Sequence, residues 1–459
     1  MGILESWIEH IQSGLSPKAL PALVLVAILA LWSGRIVFLR YFHPVAGFPG
    51  PLAASRSPKW LYDVLCTGHS EEIFDKLHKE YNTKALRIAP NELHISDVDL
   101  YKTIYTKPAT FLKDHVFFDG FQTPHSFGTE CDWEVHKVHR RLANTFWQRR
   151  TLLSIEPLLH EKTNIMINKM REMTEKDASI NIVRAMKCLF LDTTMVYLLS
   201  LQWNTLEEKH ESFDAHTIEC LDAMDVNIWA KMYTPLSKRI KELIFGQPVD
   251  EHFEEFDRIV KETLDKFQET GNVSSHPVLF ENLTSTSVQQ QHMDLLDALF
   301  GGYHPFTTSV MACIKEIFRV SLPLEGRFPR IVPDTPSDPL IVDGKVVPPG
   351  TIVSVTAYSV NLDEETWGHD AKTFNPDRWL KDAGQILDLD QYLITFGKGP
   401  RMCPAQGMVY AQVTIAIAYL LKNFKIYFPP EFKSPDLQNF MMTMYPQEGM
   451  SLHFEAIKR

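Results

Sequence analysis

The residues best suited to chemistry lie together in ITFGKGPRMCPAQGMVYAQ, Ile394 to Gln412. Gly397 and Gly399 permit a tight loop, and Cys403 sits just before an apolar run of helical pattern. A cysteine near a helix N-terminus, beside Lys398 and Arg401, has its thiolate favoured by both dipole and charge. A thiolate held in a dry loop is a ligand for a soft or borderline metal, haem iron among the candidates. The other five cysteines, Cys66, Cys131, Cys188, Cys220 and Cys313, are scattered without a C-x-x-C pair. That spacing fits neither a disulfide framework nor a zinc site. They read as small buried hydrophobes in a reducing compartment.

In KEIFRV, Glu316 and Arg319 are three apart and share one helical face. Alone, such a pair is usually solvated. In DWEVHKVHRR, His136 and Arg140 are four apart on one face. These segments together carry a resemblance. Phe396, Gly399, Arg401 and Cys403 match F-x-x-G-x-R-x-C, the loop of the haem-thiolate monooxygenases, the cytochromes P-450. One position departs, with Ala405 where that family usually has glycine. The family buries its E-x-x-R and completes it with an arginine from F-x-P-x-R-W, and this chain has FNPDRW with Phe374, Pro376 and Arg378. The resemblance thus implies a structural clasp of Glu316, Arg319 and Arg378, whose buried carboxylate demands full hydrogen bonding. It implies Cys403 as axial ligand of haem b, with Phe396 and Arg401 beside the cofactor. His136, Arg140 and Arg330 (in GRFPRIVP) are implied partners of its propionates. FHPVAGFPGP resembles the proline hinge of membrane-anchored members. The resemblance runs from residue 43 to the C-terminus and is strongest to fungal enzymes of terpenoid secondary metabolism, especially the trichodiene-oxygenase type.

The distal side departs more seriously. The family places there a long helix carrying A/G-G-x-D/E-T-T, followed by several tens of residues before E-x-x-R. Here Gly301, Gly302, Thr307 and Thr308 echo that stretch without an acid between them, and Pro305 would break the helix. Thr308 is only eight residues from Glu316, which spans at most about 29 Å when extended. A deletion near 300–310 is therefore expected, and no acid–alcohol pair for proton delivery can be assigned.

These residues need elements to position them. Residues 84–97, KALRIAPNELHISD, predict two short strands around a Pro-Asn turn, and residues 98–300 are mostly helical in pattern. Within that stretch, Glu219 to Tyr233 is amphipathic. Pro339 to Val360 alternates apolar residues around an Asp-Gly turn, a hairpin signal. Gly407 to Asn423 is helical again, and the last thirty or so residues read as turns and short strands. The fold class is mainly α with a small β portion, the cytochrome P-450 fold behind a single N-terminal transmembrane helix.

That helix comes from the 16 uncharged residues between Ala19 and Gly34, about 24 Å long at the helical rise. Ile36 to Leu39 extends it to 21 residues if Arg35 snorkels. Glu5 and Glu9, with no small-x-small cleavage site, oppose a cleaved signal peptide. The expected order is a luminal segment at 1–18, an anchor at 19–39, a proline-rich hinge at 40–51 and the monooxygenase domain at 52–459. Arg35 and Arg40 lie on the anchor's C-terminal side, so the positive-inside rule leaves the large domain in the cytosol, on the endoplasmic reticulum membrane.

The 459 residues are 45% hydrophobic and 22% charged, which excludes a disordered tail or a polytopic membrane protein. Lys plus Arg is 46 against 57 acids, a net charge of −11 that argues against nucleic-acid binding. The function implied is insertion of one oxygen atom from O2 into an apolar small molecule, a terpenoid or other fungal secondary metabolite. Electrons would come from NADPH through cytochrome P-450 reductase. Lys137, Arg140, Arg141, Arg149 and Arg150 concentrate positive charge where an acidic reductase would dock. Two rivals are a degenerate haem protein without oxygen activation and a haem-free membrane-tethered binding module.

Overall fold

The computed structural model describes residues 19–107, 109–121, 123–144, 146–176, 178–223, 251–303, 311–334, 338–380, 383–433, 437–440, 442–444 and 449–457. Pro305, Thr307 and Thr308 lie outside these residues, as does the amphipathic stretch beyond Ala223.

The chain enters through α1 (Ala19–Val37), an exposed apolar helix continued by one π-helical turn, Phe38–Phe42. Leu39 turns into the protein and is buried, so the apolar run does not present all of 19–39 to its surroundings. After the prolines come α2 (Leu52–Arg56) and α3 (Ser70–Tyr81), the latter ended by Asn82 in the left-handed conformation at φ 48°. The expected strand pair is β1 (Ala85–Ala89) and β2 (Glu92–Ile95), antiparallel with Ala85 opposite Ile95. Asp97 then caps α4 (Val98–Tyr105) by accepting from the Asp99 N–H.

A larger helical layer follows. It contains α5 (Trp133–Asn144), α6 (Arg149–Glu175), α7 (Ile182–Leu199), α8 (Val288–Tyr303), α9 (Met311–Ser321) and α10 (Gln406–Asn423). Of the 18 residues of α7, 15 are buried, which makes it the central helix. It packs on α6 and α8, and α10 lies along α6.

The short strands β3 (Leu112–Lys113), β5 (Arg330–Ile331) and β8 (Ile352–Ser354) join β1 and β2 in the order β1-β2-β8-β5-β3. Their neighbour β4 in sequence (Ile180–Asn181) belongs to another sheet, flanking β12 (Ser451–Ala456) and β9 (Phe424–Tyr427). The Asp-Gly turn does close a hairpin, β6 (Ile341–Val342) with β7 (Lys345–Val346), with Asp343 and Gly344 at φ 50° and 72°. The alternation ends there. β8 leaves the hairpin to run parallel to β2, and Ala357–Asn361 is helical because the Thr356 hydroxyl caps it at Ser359.

The element that positions the cysteine loop is a buried carboxylate on α9. Glu316 is fully buried and takes Arg319 Nε and Nη2 at 2.9 and 2.8 Å, Arg378 Nε at 2.9 Å, the Trp379 indole at 2.9 Å and the Asn375 N–H at 2.9 Å. Arg319 also donates to the Asn361 and Ala371 carbonyls, and Arg378 to that of Trp367. Asn361 holds the segment that leads into the loop: its amide accepts from Ile394 N–H and donates to the Thr395 hydroxyl. The clasp thereby reaches the cysteine loop through two hydrogen bonds.

Glu316→Gln leaves two buried guanidiniums facing a neutral amide, and a loss of about 3–5 kcal/mol in urea unfolding is expected. Burial alone would raise the Glu316 carboxyl, but the Arg319, Asn375 and Trp379 donors outweigh it and hold it below its usual value. A carboxyl lowered in the folded state stabilises fully above the unfolded carboxylate range. The wild-type margin over Glu316→Gln should therefore shrink as pH falls from about 5 toward 3. A margin that does not change with pH would show that Glu316 is not ionised in the fold.

Candidate functional site

The loop from Phe396 to Cys403 is closed by its own backbone. Cys403 N–H donates to the Phe396 carbonyl at 2.8 Å, Met402 N–H to Gly399 at 3.0 Å, and Gly397 N–H to Ile394 at 2.7 Å. Both glycines have positive φ, 70° and 79°. A Cβ at Gly399 would lie 2.9 Å from Thr106 Cα, so the loop packs against the end of α4 only with glycine there. Ala405, by contrast, has φ −81° at the start of α10, a conformation any residue adopts, so the missing glycine costs the loop nothing in backbone strain. Phe396 packs behind the loop against Phe318 and Tyr410, ring centroids 5.0 and 5.7 Å away.

The electrostatics around Cys403 differ from the sequence expectation. Lys398 turns away to the Asp390 carbonyl, and Arg401 donates to the carbonyls of Glu130 and Cys131. The cation facing the thiol is Arg140, whose Nη1 donates to the Met402 carbonyl at 3.0 Å. Burial pushes the Cys403 thiol up, and the N–H groups of Ala405 and Gln406 with Arg140 recover only part of that. A cation such as iron at Sγ would reverse the balance.

On another side the structure gathers buried cations. His136, Arg330 and Lys113 are all buried, and Arg401 lies among them. Arg330 sits over the rings of Tyr105 and Phe118 at 4.9 and 5.8 Å. Burial lowers Arg401 to about 10, with Arg330 adding to the shift, and lowers His136 to about 3, helped by Arg401, Lys113 and Arg140. Lys113 is pushed far below its ordinary value by burial and by Arg401 and Arg330. Both His136 ring nitrogens lack a hydrogen-bond partner. Buried like charges that depress one another, beside an unpaired buried imidazole, fit a dianionic ligand such as the two haem propionates. So the structure brings His136, Arg330 and Arg401 together with Lys113, and Arg140 lies between His136 and the Cys403 loop.

Lys113 escaped the sequence reading. A lone lysine in Phe111–Lys113 looks like a strand residue facing water, and only the fold turns it inward. The same is true of Asp294 and Asp297 on α8, which accept from the backbone N–H of Phe127 and Gly128 at 3.0 and 2.7 Å. Burial, with Asp297 beside it, raises Asp294 to about 8. These acids pin the 123–130 loop. They lie upstream of Gly301 and Gly302, which occupy the last turn of α8.

The model of the family described as Cytochrome P450 matches residues 59–304 and 307–454. The chain is 26% identical to the cytochrome P450 monooxygenase BOT1 of Botryotinia fuckeliana over 88% of this chain and 89% of that protein. It is 24% identical to the cytochrome P450 monooxygenase astB of Aspergillus terreus over 94% and 96%. That alignment covers 499 positions against 459 residues here, so the relative carries at least 40 without a counterpart. An inactive cytochrome P450 monooxygenase, cloA of Claviceps fusiformis, is 23% identical over 89% and 90%.

The cation cluster gives a two-sided expectation for Lys113→Met. Removing a buried, repelled charge should raise the unfolding midpoint of the haem-free chain, by the order of 1 kcal/mol or more. It should also weaken haem uptake, followed by Soret titration. A lower midpoint without haem would mean that Lys113 serves as the structural partner of Asp297 instead.

Proposed function

The chain belongs to the cytochrome P450 family, and from that premise we propose that it is a membrane-anchored monooxygenase holding haem b through Cys403. Its proposed substrate is an apolar small molecule, a terpenoid or related fungal secondary metabolite, with electrons from NADPH through the reductase. The observation that carries this is the presence in one fold of the Cys403 thiol in its closed loop and a cluster of mutually repelling cations, Lys113, Arg330 and Arg401, beside the unpartnered His136 imidazole. Bound haem supplies the oxygen activation.

The side chains divide the remaining work. Cys403 Sγ is the proposed iron ligand, and Arg140 with the Ala405 and Gln406 N–H groups offsets its charge. Lys113, His136, Arg330 and Arg401 would hold the propionates. Phe318, Phe396 and Tyr410 close the back of the loop against water. Glu316, Arg319 and Arg378 hold the loop and do no chemistry. Arg149 and Arg150 open α6 and, with Lys137 and Arg141 on α5, form the proposed reductase face. Arg35 in the last turn of α1 and Arg40 just beyond it support a single-pass anchor in the endoplasmic reticulum with the domain in the cytosol.

A second reading is favoured by one observation. Only residues 304–310 lie between the end of α8 at Tyr303 and the start of α9 at Met311, and their sequence, HPFTTSV, carries no acid. The chain as it stands would then bind haem but deliver protons poorly, with reduced oxygen leaving as peroxide.

Two measurements test these readings. The reduced, carbon-monoxide-bound spectrum of membranes holding this chain should show a thiolate-type Soret band that Cys403→Ser abolishes. An unchanged spectrum in the variant would falsify the ligand assignment. The second is product formed per NADPH consumed, compared with a chain carrying a distal helix inserted after Phe300. The inserted chain should couple better, and equal coupling would show that another group already delivers the proton.

A further inference from the structure

Residues 125–128, ahead of α5, are gripped from both sides. On one side stands α8, where Gln290, Asp294 and Asp297 are four and three apart and so share a helix face. In that order they hold the His125 carbonyl at 2.6 Å, the Phe127 N–H at 3.0 Å and the Gly128 N–H at 2.7 Å. On the other side Lys113 of β3 donates to the Gly128 carbonyl, and Arg401 to the carbonyls of Glu130 and Cys131 just beyond. Gly128 thus has an acid at its N–H and a lysine at its carbonyl. The fit is close, since a Cβ there would lie 2.7 Å from both Asp297 carboxyl oxygens.

The lysine end of this grip belongs to the cation cluster. β3 and β5 pair with Lys113 directly opposite Arg330, and like charges facing across a sheet oppose each other. Burial, with Arg401 and Arg330, pushes Lys113 far below its ordinary value. Burial likewise raises the Asp297 carboxyl, and the Gly128 N–H and Lys113 offset that only in part. An anion among the arginines cancels the repulsion and leaves the lysine charge to act on Asp297 and the Gly128 carbonyl. With three donors, Lys113 can serve the anion without releasing the loop. Taking the cluster as the seat of the haem carboxylates, a premise that rests on the function proposed above, we propose that residues 125–128 form a strap which filling of the cluster pulls shut through Lys113. The strap responds to the negative charge of a dicarboxylate ligand and not to the metal at Cys403. By linkage the coupling runs both ways: the closed strap raises affinity for the anion by the factor by which the anion favours closure.

Amide hydrogen exchange over residues 125–128, followed by mass spectrometry of the full-length chain in detergent micelles, reads the strap. Three states are compared: the haem-free chain, the chain with haem b, and the chain with haem dimethyl ester, which keeps ring and iron but has no propionate charge. The Soret band reports occupancy in each. Haem b should slow exchange of the Phe127 and Gly128 amides about tenfold, the weight of one charge-assisted bond, and the bound ester should leave it unchanged. Asp297→Asn, which removes the negative end of the grip, should abolish that slowing. It should also weaken haem b uptake about tenfold while sparing uptake of the ester. Gly128→Ala, whose Cβ has no room beside Asp297, should do the same by a different route. If neither variant folds, the wild-type comparison of acid with ester still decides. Equal slowing by both porphyrins would overturn the strap, because ring contact rather than charge would then close it. Bound haem b without any slowing would overturn it too. Haem b that slows exchange but gives no thiolate-type band keeps the strap and defeats the Cys403 assignment, whereas failure of both porphyrins to bind overturns strap and function together.

Discussion

One buried carboxylate organises the half of this molecule that carries the thiol. Glu316 accepts from two arginines, an indole and a backbone N–H, so every direction around it is satisfied without water. A charge at that depth is tolerable only in such company, and the company comes from segments far apart in sequence. Arg319 reaches the Asn361, Ala371 and Thr373 carbonyls, and Arg378 that of Trp367. Asn361 then fixes Ile394 and Thr395, and the loop begins one residue later. The position of Cys403 is thus inherited from an ion cluster that never touches it.

The site beyond the loop is built with the opposite logic. The clasp is neutralised internally, whereas Lys113, Arg330 and Arg401 repel one another and His136 stays neutral with both nitrogens idle. Such a cluster raises the energy of the empty protein, and a ligand that neutralises it returns that energy as affinity. The thiol follows the same rule, since burial opposes its ionisation until a cation arrives. Under the proposed function, one group satisfies both at once: iron at the sulfur and carboxylates at the cations. Ligand binding of that kind would stabilise the fold by mass action.

Much of this could be read in the sequence because it depends on local spacing. The glycines of the cysteine loop, the E-x-x-R pair on one helical face, and the Pro-Asn and Asp-Gly turns are short-range signals, and each appears where expected. What escaped depends on tertiary placement. Nothing in DWEVHKVHRR says that Arg140 will face Met402 and Cys403, or that His136 will be buried while Lys137 stays near the surface with Glu134. β8 looked like part of a hairpin because alternation identifies a strand but not its partner, and its partners are β2 and β5. Leu39 read as one more lipid-facing residue, and only the sheet beneath it shows why the helix must turn there.

A connection of only seven residues between α8 and α9 is compatible with this architecture for a structural reason. The clasp, the loop and the cation cluster draw on α4, α5, α9, α10 and the five-stranded sheet. From α8 they take Asp297, whose charge acts on Lys113 and whose carboxylate holds the Gly128 N–H, and Asp294, which holds the Phe127 N–H of the same loop. The connection from Tyr303 to Met311 can therefore be brief without disturbing the geometry that holds the thiol. Proton delivery is different, because it needs an acid placed over the opposite side of the ligand, and placement precedes pKa in any acid–base role. Asp294 has a suitable shift, at about 8, but it is committed to the Phe127 N–H and Gln290. Under the proposed function, holding the cofactor and turning it over thus rest on separate parts of the chain, and a change confined to the distal segment can remove the second while leaving the first.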